Sequence, residues 1–512
     1  MKRNTCALFL CLLLSGPLAG GAREVRLAIL HTTDLHGHVR GEGGSGGLLR
    51  CATLIEQARA ESPNALLVDC GDLIQGTAES LLSGGRVMVR ALDYLRYDVW
   101  VVGNHDFDWG WEELAALQKE GEVGLLGANV TCQPGGSHPL DQLKPFVTRE
   151  LDGVRVVLVG LTTPAVPSWL LPEQLGPLLF QRSVDALRAV MPAVRAAEPD
   201  VLVLLMHHGL HEGGDDAANE IHAVARSFPE FDVILGGHLH RPIASASMGS
   251  SLYAQAGCHG AGLGRVDLVY DTVQARVVEK RGQWMEAGPQ VAEHESLRQW
   301  LAADLDRADA FLDRTIGTNT CTLDAATRLP AQSGVQQLIA AAIADAVKAD
   351  VVLHGVLGEE DLPAGPVTQR DIWRLVPYEN RIGCARLTLG EIREVMEENA
   401  SQAGSTHFMG VWGLAYDITP GAPPGRRVRN LRLPDGSVPH ARRRFRVALS
   451  SYALASGGGR FPRLRRIAGR PESRLEITEI DTRRAVADYV RKRSPLRIGA
   501  GTTVKLVRAR GP

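Results

Sequence analysis

Residues 103–110 read GNHDFDWG and follow directly on the apolar run VWVV at 99–102. An apolar run bounded by turn residues is typical of a strand buried inside a sheet. A turn after such a strand needs one glycine and an Asn or Asp, so it does not require an amide, an imidazole and two carboxylates together. The stretch therefore predicts a buried strand whose end carries a chemical site.

The same pattern recurs along the first half of the chain. Short apolar runs alternate with helical stretches, which predicts an α/β fold with a sheet that is buried on both faces. The runs are VRLAILH at 25–31, ALLVD at 65–69, DVWVVG at 98–103, GLLGANV at 124–130, RVVLVGL at 155–161, DVLVLLMHH at 200–208 and FDVILGG at 231–237. Polar residues follow strand after strand, as expected for a site at the carboxyl edge of a sheet.

Length and composition set the broad class of protein. The 512 residues exceed one compact core and predict two domains, and 45% hydrophobic with 22% charged residues is typical of folded globular proteins. The 56 Lys and Arg nearly balance the 58 Asp and Glu, so the net charge does not indicate a nucleic acid polymer as partner.

The chain divides by its hydrophobic pattern into a first domain over 23–290, a linker over 291–315 and a second domain over 316–512. The apolar spacing of VAEHESLRQWLAADLDRADAFLDR at 291–314 predicts one long linking helix. Further helices are predicted at 333–348 and from Thr388, where Glu391 completes a capping box.

Residues 1–22 have the order of a secretory signal peptide. Lys2 and Arg3 precede an apolar stretch of about ten residues, which is too short for a membrane span and ends in small residues. The sequence thus predicts an exported protein, periplasmic or extracellular, whose mature chain begins near Arg23 and has no membrane span. Oligomeric state and disulfide pairing do not follow from sequence.

The polar residues at the strand ends mix oxygen and imidazole donors. Such a mixture suits manganese, zinc, iron or cobalt better than magnesium or calcium. The number of donor side chains is large enough for a site that holds two divalent ions. The donors come in five segments: Asp34, His36 and His38; Asp69 and Asp72; Asn104, His105, Asp106 and Asp108; His207, His208 and His211; His238 and His240.

In their order D-x-H, G-D, G-N-H-D, H-x-G and G-H-x-H, these segments resemble the calcineurin-like metallophosphoesterase superfamily. Together with PAGPVT at 363–368 and SGGG at 456–459, GNHDFDWG resembles more narrowly the secreted 5′-nucleotidase, UDP-sugar hydrolase and 2′,3′-cyclic phosphodiesterase family. The resemblance implies an α/β fold class: an N-terminal four-layer α/β/β/α sandwich, a linking helix and a C-terminal α+β domain of 5′-nucleotidase type.

The resemblance also implies roles for single residues. One metal ion would be held by Asp34, His36, Asp72 and His240, and a second by Asp72, Asn104, His207 and His238. His207 is preferred to His208 because Gly209 lies two positions on. His105 corresponds to the catalytic histidine and Asp108 to the carboxylate that orients it, so that metal-activated hydroxide attacks phosphorus while a protonated His105 stabilises the developing charge.

The other polar residues have less specific interpretations. Asp69 and Asp106 are expected to be structural, as hydrogen-bond acceptors behind the ligands. His38, His208, His211 and His259 either line the cleft or are solvated loop residues.

The resemblance implies that the second domain binds the leaving group through base stacking on Phe408 and Phe461. The alternative is that both rings are core residues. Asn380 and Arg381 in PYENR, and Arg460 in GGGR, are further candidates for substrate binding. Two positions depart from the resembled pattern. Glu359 stands where an arginine is usual, and GGGR replaces GGDG.

The leading hypothesis is an exported two-metal phosphoesterase that acts on small phosphate esters, nucleotides first. One alternative keeps the metal site but changes the substrate to a UDP-sugar, a cyclic nucleotide, or a sulfur-carrier conjugate of the kind cleaved by related thiosulfohydrolases. Another is a non-catalytic extracytoplasmic binding protein that has kept the fold.

Overall fold

The computed structural model describes residues 24–134, 138–325, 333–498 and 504–507. The predicted signal peptide at 1–22 lies outside the described residues. The first domain is built on two six-stranded sheets. Its strands are β1 Glu24–Thr32, β2 Ala65–Asp69, β3 Val99–Val101, β4 Gly124–Leu126, β5 Val130–Cys132, β6 Phe146–Leu151, β7 Val154–Leu161, β8 Leu178–Phe180, β9 Val201–Met206, β10 Val233–Gly236, β11 Pro242–Met248, β12 Ser251–Ala256, β13 Gly262–Asp271 and β14 Arg276–Glu286.

One sheet has the order β14-β13-β1-β2-β3-β4 and the other the order β11-β12-β10-β9-β7-β6. The pairs β1–β2, β2–β3 and β3–β4 are parallel, as are β7–β9, β9–β10 and β10–β12. The carboxyl ends of these parallel strands therefore meet at one edge of each sheet, where the polar segments of the sequence follow them.

The two sheets pack face to face over an apolar layer. Val68 and Val101 of the first sheet and Leu158, Val203 and Leu235 of the second belong to one buried cluster. Since these strands are also covered on their outer faces, they carry near-continuous apolar runs, as the sequence predicted.

Helices cover both outer faces. The first sheet packs against α1 Leu48–Glu61, α3 Arg86–Leu95 and α4 Trp111–Glu120, and the second packs against α6 Ser183–Ala196 and α7 Ile221–Ser227. The short helices α2 Ala78–Leu82 and α5 Pro172–Leu175 lie in connections. The predicted four-layer α/β/β/α sandwich is thus confirmed.

The linker differs from the single helix that was predicted over 291–314. It forms two helical segments, α8 Glu295–Trp300 and α9 Ala302–Leu312, that meet at Leu301. The His294 imidazole accepts a hydrogen bond from the Leu297 amide, which fixes the start of α8 four residues after the predicted beginning. The backbone of Leu301, with φ −98° and ψ 2°, leaves the α region and breaks the helix.

The second domain is centred on a five-stranded sheet of order β19-β16-β22-β18-β23 with an apolar cluster on each face. Its strands are β15 Thr315–Asn319, β16 Val351–His354, β17 Gly365–Thr368, β18 Arg381–Thr388, β19 Gly410–Trp412, β20 Ala415–Ile418, β21 Val428–Arg432, β22 Arg444–Ser450, β23 Glu476–Asp481 and β24 Val504–Leu506. Its helices are α10 Gly334–Val347, α11 Gln369–Leu375, α12 Leu389–Asn399, α13 Ser451–Leu454, α14 Pro462–Ala468 and α15 Thr482–Arg493.

Both helices predicted in the second domain are present. Helix α10 is capped by Ser333, whose hydroxyl accepts from the Gln336 amide. At α12 the Thr388 hydroxyl accepts from the Glu391 amide at 3.3 Å, and the Glu391 carboxylate accepts from the Thr388 amide at 2.9 Å. This reciprocal pair is the predicted capping box.

The two domains contact each other beside the strand ends. The Glu379 carboxylate of the second domain accepts hydrogen bonds from Gln75 Nε2 at 3.1 Å and Trp109 Nε1 at 3.4 Å in the first domain. Arg483 pairs with the same carboxylate at 2.5 Å. A further contact joins the domains where the Ser168 carbonyl accepts from the Gly458 amide at 2.9 Å. These contacts place the second domain over the carboxyl edge of the sheets.

Across the described ranges, no helix combines the length and the apolar character that crossing a bilayer would require.

Asp69, at the end of β2, is fully buried between two donors. The Thr32 hydroxyl donates to Asp69 Oδ2 at 2.7 Å, and the Gly71 amide donates to Oδ1 at 2.8 Å. Burial raises the pKa of this carboxyl to about 7, although both hydrogen bonds favour the ionised form. The folded protein consequently holds a proton here that the unfolded chain releases at a pKa of 3.8.

We expect Asp69→Asn to remove a pH dependence of folding stability. A folded-state pKa above the unfolded value gives stability that is fully present below the unfolded pKa of 3.8 and is lost as the pH rises through about 7. The parent should lose on the order of 1 kcal/mol of unfolding free energy per pH unit in this window, relative to the variant. Urea unfolding of chelator-treated protein from pH 5 to pH 8 measures it. Parallel pH curves for parent and variant would contradict the assignment.

Candidate active site

Each proposed metal ligand lies shortly after the end of a central strand. Asp34, Asp72 and Asn104 follow β1, β2 and β3 of the first sheet, His207 follows β9 of the second, and His238 and His240 follow β10. The strands thus bring residues that lie up to 206 positions apart in sequence to one edge of the sandwich.

The backbone at these positions is unusual. Five of the seven residues have positive φ: 51° at Asp34, 47° at His36, 57° at Asp72, 72° at His238 and 55° at His240. Positive φ is uncommon for residues other than glycine and is found preferentially at functional sites, where the surrounding structure holds it. Here the Asp34 amide donates to the Gly71 carbonyl at 2.8 Å and the His36 amide to the Asp72 carbonyl at 2.9 Å.

Two glycines of the motifs allow the strand ends to approach. A Cβ on Gly103 would stand 2.2 Å from both the amide nitrogen and Oδ1 of Asp72, and a Cβ on Gly237 would stand 2.3 Å from Thr33 Oγ1. The glycines of G-N-H-D and G-H-x-H are therefore required by close packing at the site.

Asp34, His36 and His240 form the first group of donors, with one ligand atom of each within 4.8 Å of the others. His36 Nδ1 lies 3.1 Å from the Gln75 carbonyl, which only accepts, so Nδ1 carries the proton and Nε2 has a free lone pair. That Nε2 faces His240 Nε2 at 3.1 Å. In metal sites, the histidine nitrogen that does not bind the ion typically donates a hydrogen bond to a neighbouring group, as His36 Nδ1 does to the Gln75 carbonyl.

Asp72, His207 and His238 form the second group, again within 4.8 Å. His207 Nδ1 donates to the Cys70 carbonyl at 2.8 Å, so Nε2 is the nitrogen that faces the other donors. His207 Nε2 lies 3.0 Å from Asp72 Oδ2 and 3.1 Å from Asn104 Oδ1. Burial alone would lower the pKa of His207, but the charge of Asp72 raises it to about 9, so the three atoms converge on a position that favours positive charge.

The two groups are joined by Asp72. Its Oδ2 lies 3.0 Å from His207 Nε2 in the second group and 3.7 Å from His36 Nε2 in the first. Two aspartates and four histidines, with the Asn104 amide oxygen, suit borderline divalent ions such as zinc, manganese, iron or cobalt. The residues present thus fit two such ions with Asp72 between them.

His208 lies outside both groups. Its Nε2 donates to the Thr162 carbonyl at 3.0 Å, and its Nδ1 accepts from the Glu220 amide at 3.1 Å. The geometry therefore favours His207 in the H-x-G segment, as the sequence interpretation did.

Asp106 supports the site from behind. Its carboxylate accepts four backbone amides, from Gly103 at 2.7 Å, Leu73 at 2.9 Å, and Asp72 and Ile74 at 3.1 Å. These bonds tie the loop after β2 to the loop after β3, which is the structural role expected of this residue.

His105 and Asp108 form a pair beside the donor groups. His105 Nδ1 lies 2.8 Å from Asp108 Oδ2, and the His105 ring lies 5.3 Å from the His36 ring, measured between centroids. Burial alone would lower the pKa of His105, but the charges of Asp108 and Asp72 raise it to about 10. The imidazole is therefore held as a cation with a proton on Nε2.

The candidate residues for substrate binding are more dispersed. Phe408 and Phe461 are 7% and 2% exposed within an apolar cluster of the second domain. Arg460 donates to the Tyr452 hydroxyl at 3.2 Å and the Gly457 carbonyl at 2.8 Å. Arg381 is half exposed, 4.0 Å from Glu479.

Asn380 accepts a hydrogen bond from the Thr482 amide through its backbone carbonyl at 3.0 Å. Glu359 is exposed at the surface of the second domain.

Two aromatic residues near the donors were missed by the sequence interpretation. The Tyr378 ring stacks at 18° and 6.2 Å on the His105 ring, and the Trp169 ring lies 5.2 Å from the His238 ring. Tyr378 is 41% exposed. It stands in the PYENR segment, where Asn380 and Arg381 drew attention instead, and Trp169 has no motif around it that would have pointed to the site.

A family model described as calcineurin-like phosphoesterase matches residues 27–242, and one described as 5′-nucleotidase, C-terminal domain, matches residues 315–466.

Protein UshA of Escherichia coli is 24% identical, over 93% of this chain and 92% of its own. A 5′-nucleotidase of Vibrio cholerae is 22% identical, over 93% and 92%. The solved structure of a 5′-nucleotidase precursor from Thermus thermophilus superposes with a TM-score of 0.72 at 21% identity, over 94% of this chain and 99% of that chain. These matches span both domains.

Proposed function

The chain belongs to the calcineurin-like phosphoesterases that carry a 5′-nucleotidase C-terminal domain, and on that premise we propose that it hydrolyses nucleotides, nucleoside 5′-monophosphates first. Membership makes it a metal-dependent hydrolase of phosphoester bonds. The observation that carries the proposal is the position of Asp72 between two groups of metal-type donors, with the His105–Asp108 pair beside them.

The ligand sets follow from the two groups. Asp34, His36 and His240 with Asp72 would hold one cation, and Asp72, Asn104, His207 and His238 the other. Two divalent cations would supply Lewis-acid charge for the phosphoryl oxygens and for the attacking water. The second domain, held against the first by Glu379, would limit the access of bulk water to this edge.

His105 would act on the phosphoryl group from the side that the donors leave open. Asp108 fixes Nδ1 as the protonated nitrogen facing the carboxylate, so the Nε2 proton is available for a hydrogen bond to a phosphoryl oxygen or for transfer to the leaving alkoxide. The cationic form also balances negative charge that develops in the transition state.

The leaving group would contact the second domain. Phe408 and Phe461, proposed from the sequence for base stacking, would have to expose faces that their cluster now covers. Tyr378 already offers a partly exposed ring next to His105, and Arg460, with Asn380 and Arg381, would supply polar contacts. We include Tyr378 in the substrate site for this reason.

We expect Tyr378→Ala to raise the KM for AMP about 5-fold to 150-fold, because base stacking on an aromatic ring contributes about 1–3 kcal/mol. The KM for ribose 5-phosphate, which has no base, should change little. Steady-state kinetics with both substrates measures the split, and Tyr378→Phe, which keeps the ring, serves as the matched control. Equal changes for both substrates would argue against stacking.

The proposal includes export, which rests on the signal-like order of residues 1–22. Mass spectrometry of protein from the expression host's medium or periplasm should find a mature N-terminus near Arg23. Retention of Met1 in an intracellular protein would contradict export.

The direct test is hydrolysis by purified protein loaded with manganese, zinc or cobalt. The panel is AMP, 2′,3′-cyclic AMP, a UDP-sugar and bis-p-nitrophenyl phosphate, with phosphate or p-nitrophenol release as the readout. We expect turnover of AMP, loss of turnover and of thermal stability in chelator, and recovery of both on reloading. A preference for the UDP-sugar or the cyclic nucleotide would change the substrate class, and no turnover of any phosphoester would contradict the proposal.

A further inference from the structure

A third set of metal-type donors shares His240 with the first donor group. His240, Cys258 and His259 have one ligand atom each within 4.8 Å of one another, and we refer to these three residues as the Cys258 cluster. Cys258 is a partly exposed free thiol, in the loop between β12 and β13. Neither Cys258 nor His259 belongs to the ligand sets of the proposed binuclear site.

The loop of the Cys258 cluster is tied to the rest of the site. The His259 amide donates to the Asp34 carbonyl at 2.8 Å, and the His259 carbonyl accepts from the Gly47 amide at 2.9 Å. His259 has φ 54°, the same left-handed conformation that five of the proposed ligands adopt. The chain thus holds His259 at an energetic cost next to the backbone of Asp34.

The His259 ring is positioned by other rings. It stacks on His38 at 4.0 Å and 17°, and lies 5.7 Å from His36 and 5.6 Å from His240. His38 is itself fixed, since its Nδ1 donates to the Leu35 carbonyl at 3.0 Å. Within the described ranges, the His259 imidazole has these ring contacts but no hydrogen-bond partner, so its nitrogens are available to a ligand.

We propose that the Cys258 cluster binds a third divalent cation, of zinc type, and shares His240 with the binuclear site. Bound through both nitrogens, the His240 ring would give its remaining N–H proton to solvent and serve two ions as an imidazolate. One thiolate and two imidazoles are the donors that zinc takes in tetrahedral sites, and a thiolate selects zinc over manganese. On binding, the Cys258 thiol gives its proton to solvent as the sulfur–metal bond forms.

This inference rests on the proposed function because it takes His240 to be a metal ligand, but its test does not depend on turnover. The full chain is stripped with a chelator, loaded with Co²⁺ or Zn²⁺, and examined by metal analysis and by absorption spectroscopy. A thiolate bound to Co²⁺ gives a charge-transfer band in the near ultraviolet that oxygen and nitrogen donors do not give. Failure of hydrolysis with this band present would affect only the proposed function, and loss of the band with hydrolysis intact would affect only this inference.

The variants are Cys258→Ser and, as a matched control, Cys321→Ser, which changes an exposed free thiol of the second domain. We expect Cys258→Ser to lose the charge-transfer band and one equivalent of metal per chain, and Cys321→Ser to keep both. A band that persists in Cys258→Ser would overturn the proposal. Loss of the band with an unchanged metal content would also overturn it, because the thiolate would then only add a ligand to the binuclear pair.

A second measurement does not depend on the folding of Cys258→Ser. In the Cys321→Ser background, stripped protein is treated with a thiol reagent before and after Zn²⁺ is added. We expect zinc, but not manganese, to slow the modification of Cys258, as located by peptide mass spectrometry, and His259→Ala to reduce this protection. Equal modification rates with and without zinc would overturn the proposal.

Discussion

His105→Ala is expected to lower turnover of AMP about 10²-fold to 10⁴-fold, the usual contribution of a positioned general acid. The residue lies beside the donor groups, but its side chain belongs to neither of them, so metal content should stay at the parent level. Turnover of the loaded protein and metal analysis of the same sample measure the two quantities. His440→Ala, which changes an exposed histidine of the second domain, is the control for a loss of one imidazole.

Asp108→Asn tests the origin of the charge on His105. Burial lowers the pKa of His105, and Asp108 and Asp72 raise it to about 10, so the loss of one carboxylate charge should move the pKa down. The protonated imidazole would then be lost at lower pH, and the alkaline limb of the kcat profile should shift to lower pH. An unshifted profile, or a loss of metal in His105→Ala, would show that the histidine acts only through the metal site.

Asp72→Asn is expected to have the largest effect, because it removes the carboxylate that lies between the two donor groups. The variant keeps a residue type that tolerates the φ of 57°, so the backbone is not forced to change. We expect metal content to fall and turnover to drop by more than about 10³-fold, since the Lewis-acid charge contributes several kcal/mol and about 1.4 kcal/mol is tenfold in rate.

Asp152→Asn is the matched control for Asp72→Asn. Asp152 has φ 50° in the exposed turn between β6 and β7, so the same substitution is made in the same backbone conformation away from the site. Metal analysis, turnover and the thermal stability of the metal-free proteins separate a loss of ligand from a loss of fold. Normal metal content in Asp72→Asn would contradict the bridging position.

The strand ends were the most predictable part of the molecule. Runs such as ALLVD and FDVILGG are apolar on both faces, and only a strand covered on both sides accommodates them, so β2 and β10 and the polar residues after them followed from the sequence. The capping box at Thr388 is local and was equally predictable.

Features that depend on contacts across the fold were not predictable. The break at Leu301 leaves the helical pattern of the linker intact, so periodicity alone predicted one helix. The stacking of Tyr378 on His105 joins residues 273 positions apart in different domains, and no spacing in the sequence encodes it. The positive φ of His36 and His238 accompanies hydrogen bonds from their amides to Asp72 and Asp34, which lie far away in the sequence.

Trp109 offers an optical readout of the contact between the domains. Its indole Nε1 donates to the Glu379 carboxylate, which also accepts a hydrogen bond from Gln75 and forms an ion pair with Arg483. Any hinge motion that separates the domains must release this indole from a charged neighbour, which changes its emission. The enzyme consequently carries an intrinsic fluorophore next to Asp108 in the sequence. In a variant that keeps Trp109 as its sole tryptophan, stopped-flow emission would follow such a motion during substrate entry and product release without an added label.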